Sequence, residues 1–210
     1  INGRRGRCHE TAEIVVARAA LHMWEEPCIS GDAGSGAVFF SGCPMGCVFC
    51  QNHNIAEAKA GKIITVERLS EIFLELQEKG AANINLVTPT HYVLQIIEAL
   101  DLARKEGLSL PIVYNTSGYE KPETIRMLDG YVDVYLPDFK YMEPELAAAY
   151  SHAPDYPEYA KASIKEMLRQ TGNIQIDKET GMIQKGMIVR HLVLPGHVKN
   201  SKAVLKYLLE

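Results

Sequence analysis

After residue 36 the chain alternates short apolar runs with stretches of helical periodicity, and no other feature constrains its fold as tightly. Ala37-Val38-Phe39-Phe40 reads as a buried strand. Leu69, Ile72, Phe73 and Leu76 then share one helix face at i, i+3, i+4 and i+7. Ile84-Asn85-Leu86-Val87 is a second strand, followed by a helix with Val93, Ile96, Ile97 and Leu100 inward. Leu110 to Tyr114 is a third strand, and Pro122 suits the first turn of the next helix. Val132 to Leu136 reads as a fourth strand and Met187 to Leu194 as a fifth. Between them runs a helix from about Pro157 to Gln170, with Ala160, Ile164, Met167 and Leu168 on one side. Repeated strand–helix–strand units imply right-handed crossovers and a parallel sheet. Five such units in 210 residues are too few for a complete eight-stranded barrel, which takes about 250 residues. The expectation is an α/β fold, a partial and open TIM-like β/α barrel of parallel strands. A doubly wound sheet is the alternative.

The unusual polar residues all follow strands. Cys43 to Cys50 follows the first, Thr88-Pro89-Thr90-His91 the second, and Asn115-Thr116-Ser117-Gly118 the third. Asp138-Phe139-Lys140 follows the fourth, and Pro195-Gly196-His197 the fifth. In a parallel β/α array these positions meet on the carboxyl-end face, where active sites sit. Two insertions break the rhythm. Tyr141 to Tyr159, with four tyrosines and three prolines, reads as a long loop on that face, either packed or docking a macromolecular substrate. Ile174 to Gln184 reads as a β-hairpin turning at Glu179-Thr180-Gly181. Residues 1–30 are expected to form a partly helical N-terminal extension, and residues 31–210 a core cut off after its fifth β/α unit. The start at Ile1 and the helical close over Lys202 to Glu210 suggest that both ends are trimmed.

A formal net charge of −4 gives no electrostatic case for nucleic acid or an anionic membrane. No apolar run is long enough to span a bilayer and no signal-peptide pattern opens the chain, so the expected address is cytoplasmic. Three of the five cysteines crowd into eight residues, which favours metal over disulfides in that compartment. Cys8 and Cys28 stand alone and read as buried or idle thiols.

The run Gly42-Cys43-Pro44-Met45-Gly46-Cys47-Val48-Phe49-Cys50 supplies three thiolates at Cys-x3-Cys-x2-Cys spacing and no fourth. Three chemistries compete. His53 completes a Cys3His zinc site. Cys47 and Cys50 alone make a redox dithiol. A [4Fe–4S] cluster with one open iron uses all three cysteines and leaves a vacancy for a ligand. Zinc does not explain why the trio follows a strand at the mouth of a parallel array, and a dithiol leaves Cys43 idle.

This loop, with Phe49 before its third cysteine, resembles the radical SAM superfamily. Ser35-Gly36-Ala37-Val38-Phe39-Phe40-Ser41-Gly42, Cys50-Gln51-Asn52, Asn115-Thr116-Ser117-Gly118-Tyr119, Asp138-Phe139-Lys140 and Arg190 to Gly196 narrow the likeness to glycyl radical enzyme activases of the pyruvate formate-lyase activating type. The resemblance implies that Cys43, Cys47 and Cys50 ligate three irons and that S-adenosylmethionine (SAM) binds the fourth. Phe49 and Gln51 match positions that bracket its adenine. Thr116, Asp138 and Lys140 match positions around its methionyl carboxylate and ribose. The implied substrate is a backbone glycine of a partner glycyl radical enzyme. Another peptide, protein or small molecule is the alternative, and a non-enzymatic zinc-stapled domain a third. A one-electron donor such as flavodoxin or ferredoxin is also implied.

Two positions depart from the family's pattern. Val87-Thr88-Pro89-Thr90-His91 stands where a Gly-Gly-Glu motif receives the SAM amino group, leaving Thr88 or its backbone to serve. Asn115 replaces the usual acid at the tip of the third strand. His91 and His197 fall on the active face, whereas His191 reads as a packed core histidine. Arg4, Arg5 and Arg7 read as a solvated segment. Gly31, Gly34 and Gly36 lack the Gly-Lys-Ser/Thr sequel of a phosphate loop.

Overall fold

The computed structural model describes residues 3–210. One eight-stranded sheet carries the fold, in the order β3-β1-β2-β4-β5-β6-β8-β7. Five parallel strands form its centre: β2 (Ser35–Phe40), β4 (Ile84–Val87), β5 (Ile112–Thr116), β6 (Val134–Pro137) and β8 (Ile183–Met187). β1 (Ile14–His22) and β3 (Lys62–Ile64) flank one side antiparallel, and β7 (Gln175–Ile176) the other. The edges β3 and β7 do not pair, so the barrel is open, as the strand count implied.

Helices α3 (Val66–Glu78), α4 (Val93–Lys105), α5 (Pro122–Arg126) and α7 (Tyr156–Thr171) follow strands on the outer face. α3 shows why these residues choose a helix. Thr65 caps it by accepting the Arg68 N–H at 3.2 Å, and Leu69, Ile72, Phe73 and Leu76 make one buried stripe. That stripe meets Val38, Phe40, Ile84 and Leu86 of the sheet in the main core. Each such side chain contributes about 1.5–3 kcal/mol by leaving water. The concave side is plugged at one end by the single turn α1 (Pro27–Ser30), whose Ile29 packs on Val113, Val134, Leu136 and Ile183. β2, β4, β5 and β6 are thus buried on both faces, as in parallel sheets generally.

Several expectations need correcting. The N-terminal stretch expected to be partly helical has the single turn α1 as its helix, but Ile14–His22 within it is a nine-residue strand of the sheet. The hairpin over 174–184 forms, with Ile176 opposite Ile183, but its second arm is itself the fifth parallel strand. That strand therefore ends at Met187 instead of starting there. The chain beyond it still tracks β6 through Ile188 N–H to Tyr135 O, Arg190 N–H to Pro137 O and Phe139 N–H to Arg190 O. The tyrosine-rich insertion is mostly helix. Pro144 opens α6 (Pro144–Ser151) at its first turn, and the strong helix formers Ala147-Ala148-Ala149 continue it. Tyr141 and Tyr156 are fully buried, so half of its tyrosines are core. α2 (His53–Ala56) and α8 (Val198–Leu209) complete the elements. Among the described residues no helix is long and apolar enough to cross a membrane.

Candidate functional site

A cavity of about 800 Å³ opens at the carboxyl ends of the central strands. Cys47, Phe49, Cys50 and Gln51 line it from the loop after β2. Val87 ends β4 and Asn115 lies near the end of β5, while Asp138 and Lys140 follow β6. Arg190 and His191 arrive from beyond β8, and Arg18, His22 and Glu25 from β1 and its exit. The loops after β2 and β6 and the tip of β5 converge here, whereas Thr88 to His91 and Pro195 to His197 do not line this cavity.

The cysteine loop is held from both sides. Gly42 turns at φ +85°, and a Cβ there would lie 2.4 Å from the Cys8 carbonyl oxygen, so only glycine fits. Gly46 N–H donates to Ser151 O at 3.3 Å and Val48 N–H to Tyr150 O at 2.9 Å, which ties the loop to the end of α6. The Ser151 hydroxyl donates to the Cys47 Sγ at 2.9 Å. All five cysteines are free. Burial pushes the Cys43 thiol up to about 12 and raises Cys47 as well, while the Lys140 ammonium pulls both back. Cys43 packs in the cluster of Phe139 and Tyr141 instead of on the cavity wall.

These thiols fit an iron–sulfur cluster better than a zinc ion. A metal deprotonates its thiol outright, which reverses the effect of burial. Zinc needs four donors at about 2.0–2.3 Å from one point. A cluster asks less, because each thiolate takes a different iron. His53 opens α2 and faces a separate cavity of about 480 Å³ behind the loop, with His9, His152, Cys47 and Cys50.

A charge network forms the opposite wall. Lys140 pairs closely with Asp138. Arg190 Nε donates to Asp138 Oδ1 at 3.0 Å, and its Nη2 donates to Asn115 Oδ1 at 2.7 Å. Its third nitrogen lies 3.6 Å from Glu25 Oε2. Burial raises the Glu25 carboxyl and Arg190 counters that rise. The Tyr156 hydroxyl locks the Asp138–Lys140 turn: it donates toward Ser117 O and Asp138 O, both at 2.9 Å, and accepts the Lys140 N–H at 2.9 Å.

Of the residues singled out in the sequence, Phe49, Gln51, Asn115, Asp138, Lys140, Cys47 and Cys50 share the cavity. Thr88 and Thr116 do not. The Thr116 hydroxyl turns to the buried carboxylate of Glu120 at 2.5 Å. Thr88 sits at φ 56°, and its N–H donates to Asn115 O at 2.9 Å. His91 reaches Ser41 O at 2.7 Å and His197 reaches the Tyr150 hydroxyl at 2.9 Å, both away from this cavity. His191 is on its wall, not in the core, with its ring nitrogens engaged by Phe139 O and Ser201 Oγ. Arg4, Arg5 and Arg7 are exposed, as expected of a solvated segment, and the Arg7 guanidinium reaches the Tyr119 hydroxyl at 3.0 Å. Sequence reading missed Arg18, His22, Glu25 and the role of Arg190. For Arg190 a signal existed: an arginine inside an apolar run beside a parallel sheet must find carboxylates.

Comparison with known proteins agrees with this geometry. Residues 37–199 match the model of the Radical SAM superfamily. An uncharacterized protein of Methanocaldococcus jannaschii is 30% identical over 203 residues, covering 92% of this chain and 53% of that protein. The chain spans about half the length of the curated relative it matches.

Proposed function

Because the chain belongs to the radical SAM superfamily, whose members use a [4Fe–4S] cluster and SAM, we propose that Cys43, Cys47 and Cys50 hold three irons and that the 800 Å³ cavity takes SAM. When bound, the reduced cluster supplies one electron that cleaves the SAM C5′–S bond, releasing methionine and a 5′-deoxyadenosyl radical that takes hydrogen from a substrate. The protein's part is placement and exclusion of water. The observation that carries the reading is the shared cavity: two of the three cysteines face the same space as the Asp138–Lys140 pair. An anion beside a cation suits an amino acid that bears both charges. Phe49 and Gln51 stand next to Cys50 to receive the adenine, and Asn115, held by Arg190, presents its amide to the same space. Cys47 and Cys50 also border the cavity behind the loop, which gives a one-electron donor such as flavodoxin or ferredoxin a short path to the cluster.

The finer reading is a glycyl radical enzyme activase acting on a partner protein. It is supported by the activase-like motifs at Asn115 to Tyr119, Asp138 to Lys140 and Arg190 to Gly196. A different peptide, protein or small-molecule substrate is favoured by the replacement of Gly-Gly-Glu with Val87 to His91. The backbone there still makes a left-handed turn at Thr88, so the turn persists without its glycines. Anaerobic reconstitution with iron and sulfide, reduction by dithionite and EPR with and without SAM test the assignment. A reduced-cluster signal that changes when SAM is added is expected. A colourless protein holding one zinc ion would overturn it.

A further inference from the structure

The β1 wall of the cavity is built by a single extra residue. Val16 pairs with Phe40 and Arg18 with the next residue back, Phe39, so Ala17 is a β-bulge. Before it, Ile14 and Val16 face the helix-side core; after it, Ala19 and Leu21 take that face. The row Arg18, Ala20, His22 is thereby turned onto the concave face, beside Phe39. Without the bulge, Arg18 would continue the Ile14–Val16 row into an apolar core.

The guanidinium so placed is exposed at the cavity mouth, and among the described residues no protein group binds it. Every other Lys or Arg on the cavity wall is matched: Lys140 by Asp138, and Arg190 by Asp138, Glu25 and Glu26. Among the described residues Arg18 has no carboxylate within ion-pair distance and no side-chain hydrogen bond. His22 lies on the same row, its ring edge-on to Phe39 at 6.3 Å. A planar fork of donors without a partner, next to an aromatic face, matches two oxygens of a carboxylate or phosphate.

We propose that the substrate of this enzyme carries an oxyanion and that Arg18 binds it from the β1 wall, across the cavity from the Asp138–Lys140 pair. The inference rests on the reading of this cavity as the SAM site and adds the chemical class of what enters beside SAM.

Phenylglyoxal labelling of the reconstituted, SAM-loaded protein, mapped by mass spectrometry, tests it with succinate and inorganic phosphate as probes. Arg18 should label readily, and Arg190, engaged in ion pairs, should not. One probe should shield Arg18 several-fold; succinate would identify a carboxylate and phosphate a phosphoryl group. Arg18→Gln should lower affinity for that probe roughly tenfold while leaving SAM affinity by equilibrium dialysis and the cluster EPR signal unchanged. Shielding by neither probe would overturn the proposal. So would shielding by SAM alone, or a matching loss of SAM affinity in Arg18→Gln, either of which gives Arg18 to the SAM carboxylate. If no cluster forms, the proposed function fails, and probe shielding in the unreconstituted protein still reads the oxyanion site separately.

Discussion

Glu120 offers a quantitative test of the architecture around the site. Its side chain is fully buried behind the tip of β5. Oε1 accepts from Thr116 at 2.5 Å, Thr90 at 2.7 Å and the Tyr114 hydroxyl at 3.4 Å, while Oε2 is buried without a partner. Burial pushes the carboxyl up to about 7 from 4.5, against the pull of those three donors. Between these two values the native state binds more protons than the unfolded state, so unfolding free energy falls as pH rises. The cost is absent well below 4.5 and complete above about 7. At about 1.36 kcal/mol for each pH unit, the lost stability is roughly 3 kcal/mol. Glu120→Gln keeps an acceptor for the three donors and removes the titration. Its buried amide N–H has no acceptor, which costs about 1–3 kcal/mol at every pH. The pH dependence therefore isolates the carboxyl. Urea unfolding of both proteins at pH 4.5 and pH 8 should show the variant gaining about 3 kcal/mol on the wild type across that interval. Parallel pH profiles would refute a dry, neutral-preferring carboxyl at this position.

The other expectations concern the site itself. Serine at Cys43, Cys47 or Cys50 should each abolish most iron incorporation and the reduced-cluster EPR signal, whereas Cys28→Ser should keep both by iron and sulfide analysis. Tyr156→Phe strips the one hydroxyl shared by Lys140 N–H, Ser117 O and Asp138 O; a stability loss of about 1–3 kcal/mol by urea unfolding is expected, with weaker SAM binding by dialysis. Gly118→Ala would set a Cβ 2.3 Å from Asp138 O at φ +77°, costing about 1–3 kcal/mol and moving the Asp138 turn; an unchanged melting temperature would contradict this. Arg190→Gln leaves Glu25 and Asp138 without their shared cation. Because Arg190 is about a third exposed, the loss should be only about 1–2 kcal/mol. It should be larger at pH 8 than at pH 5, since the Glu25 carboxyl, already raised by burial, rises further without the guanidinium.

Sequence patterns exposed some parts of this molecule and hid others for physical reasons. Most of the central strands were legible because both of their faces are buried, which favours apolar runs such as Ala37 to Phe40. Their boundaries were not. β5 extends to Thr116, because hydrogen bonding from Thr88 N–H to Asn115 O and from Asp138 N–H to Thr116 O continues the ladder past the last apolar side chain. The cysteines and the Asp138–Lys140 pair announced themselves by residue type. Thr116 misled because neighbours in a strand face opposite ways, so with Asn115 in the cavity it had to point at Glu120.

The N-terminal wall shows a deeper limit. Ile14 to His22 does not alternate: Val15-Val16 and Ala19-Ala20-Leu21 set apolar residues side by side, so neither a period of 2 nor of 3.6 emerges. Placing one extra residue at Ala17 resolves it into two short alternating pieces, Ile14 and Val16 on the helix side, then Ala19 and Leu21 on that same side. Each piece is too short to be recognised alone. The bulge becomes visible only when β2 supplies the register against which β1 is counted. It is also the step that carries Arg18 into the cavity, since the parity change that conceals the strand from pattern reading is what turns a guanidinium from the core toward the substrate side. A broken alternation that contains one charged residue is therefore a reason to look for a bulge at a site, and here it leads to the one Lys or Arg on the wall of the 800 Å³ cavity without a described acidic partner.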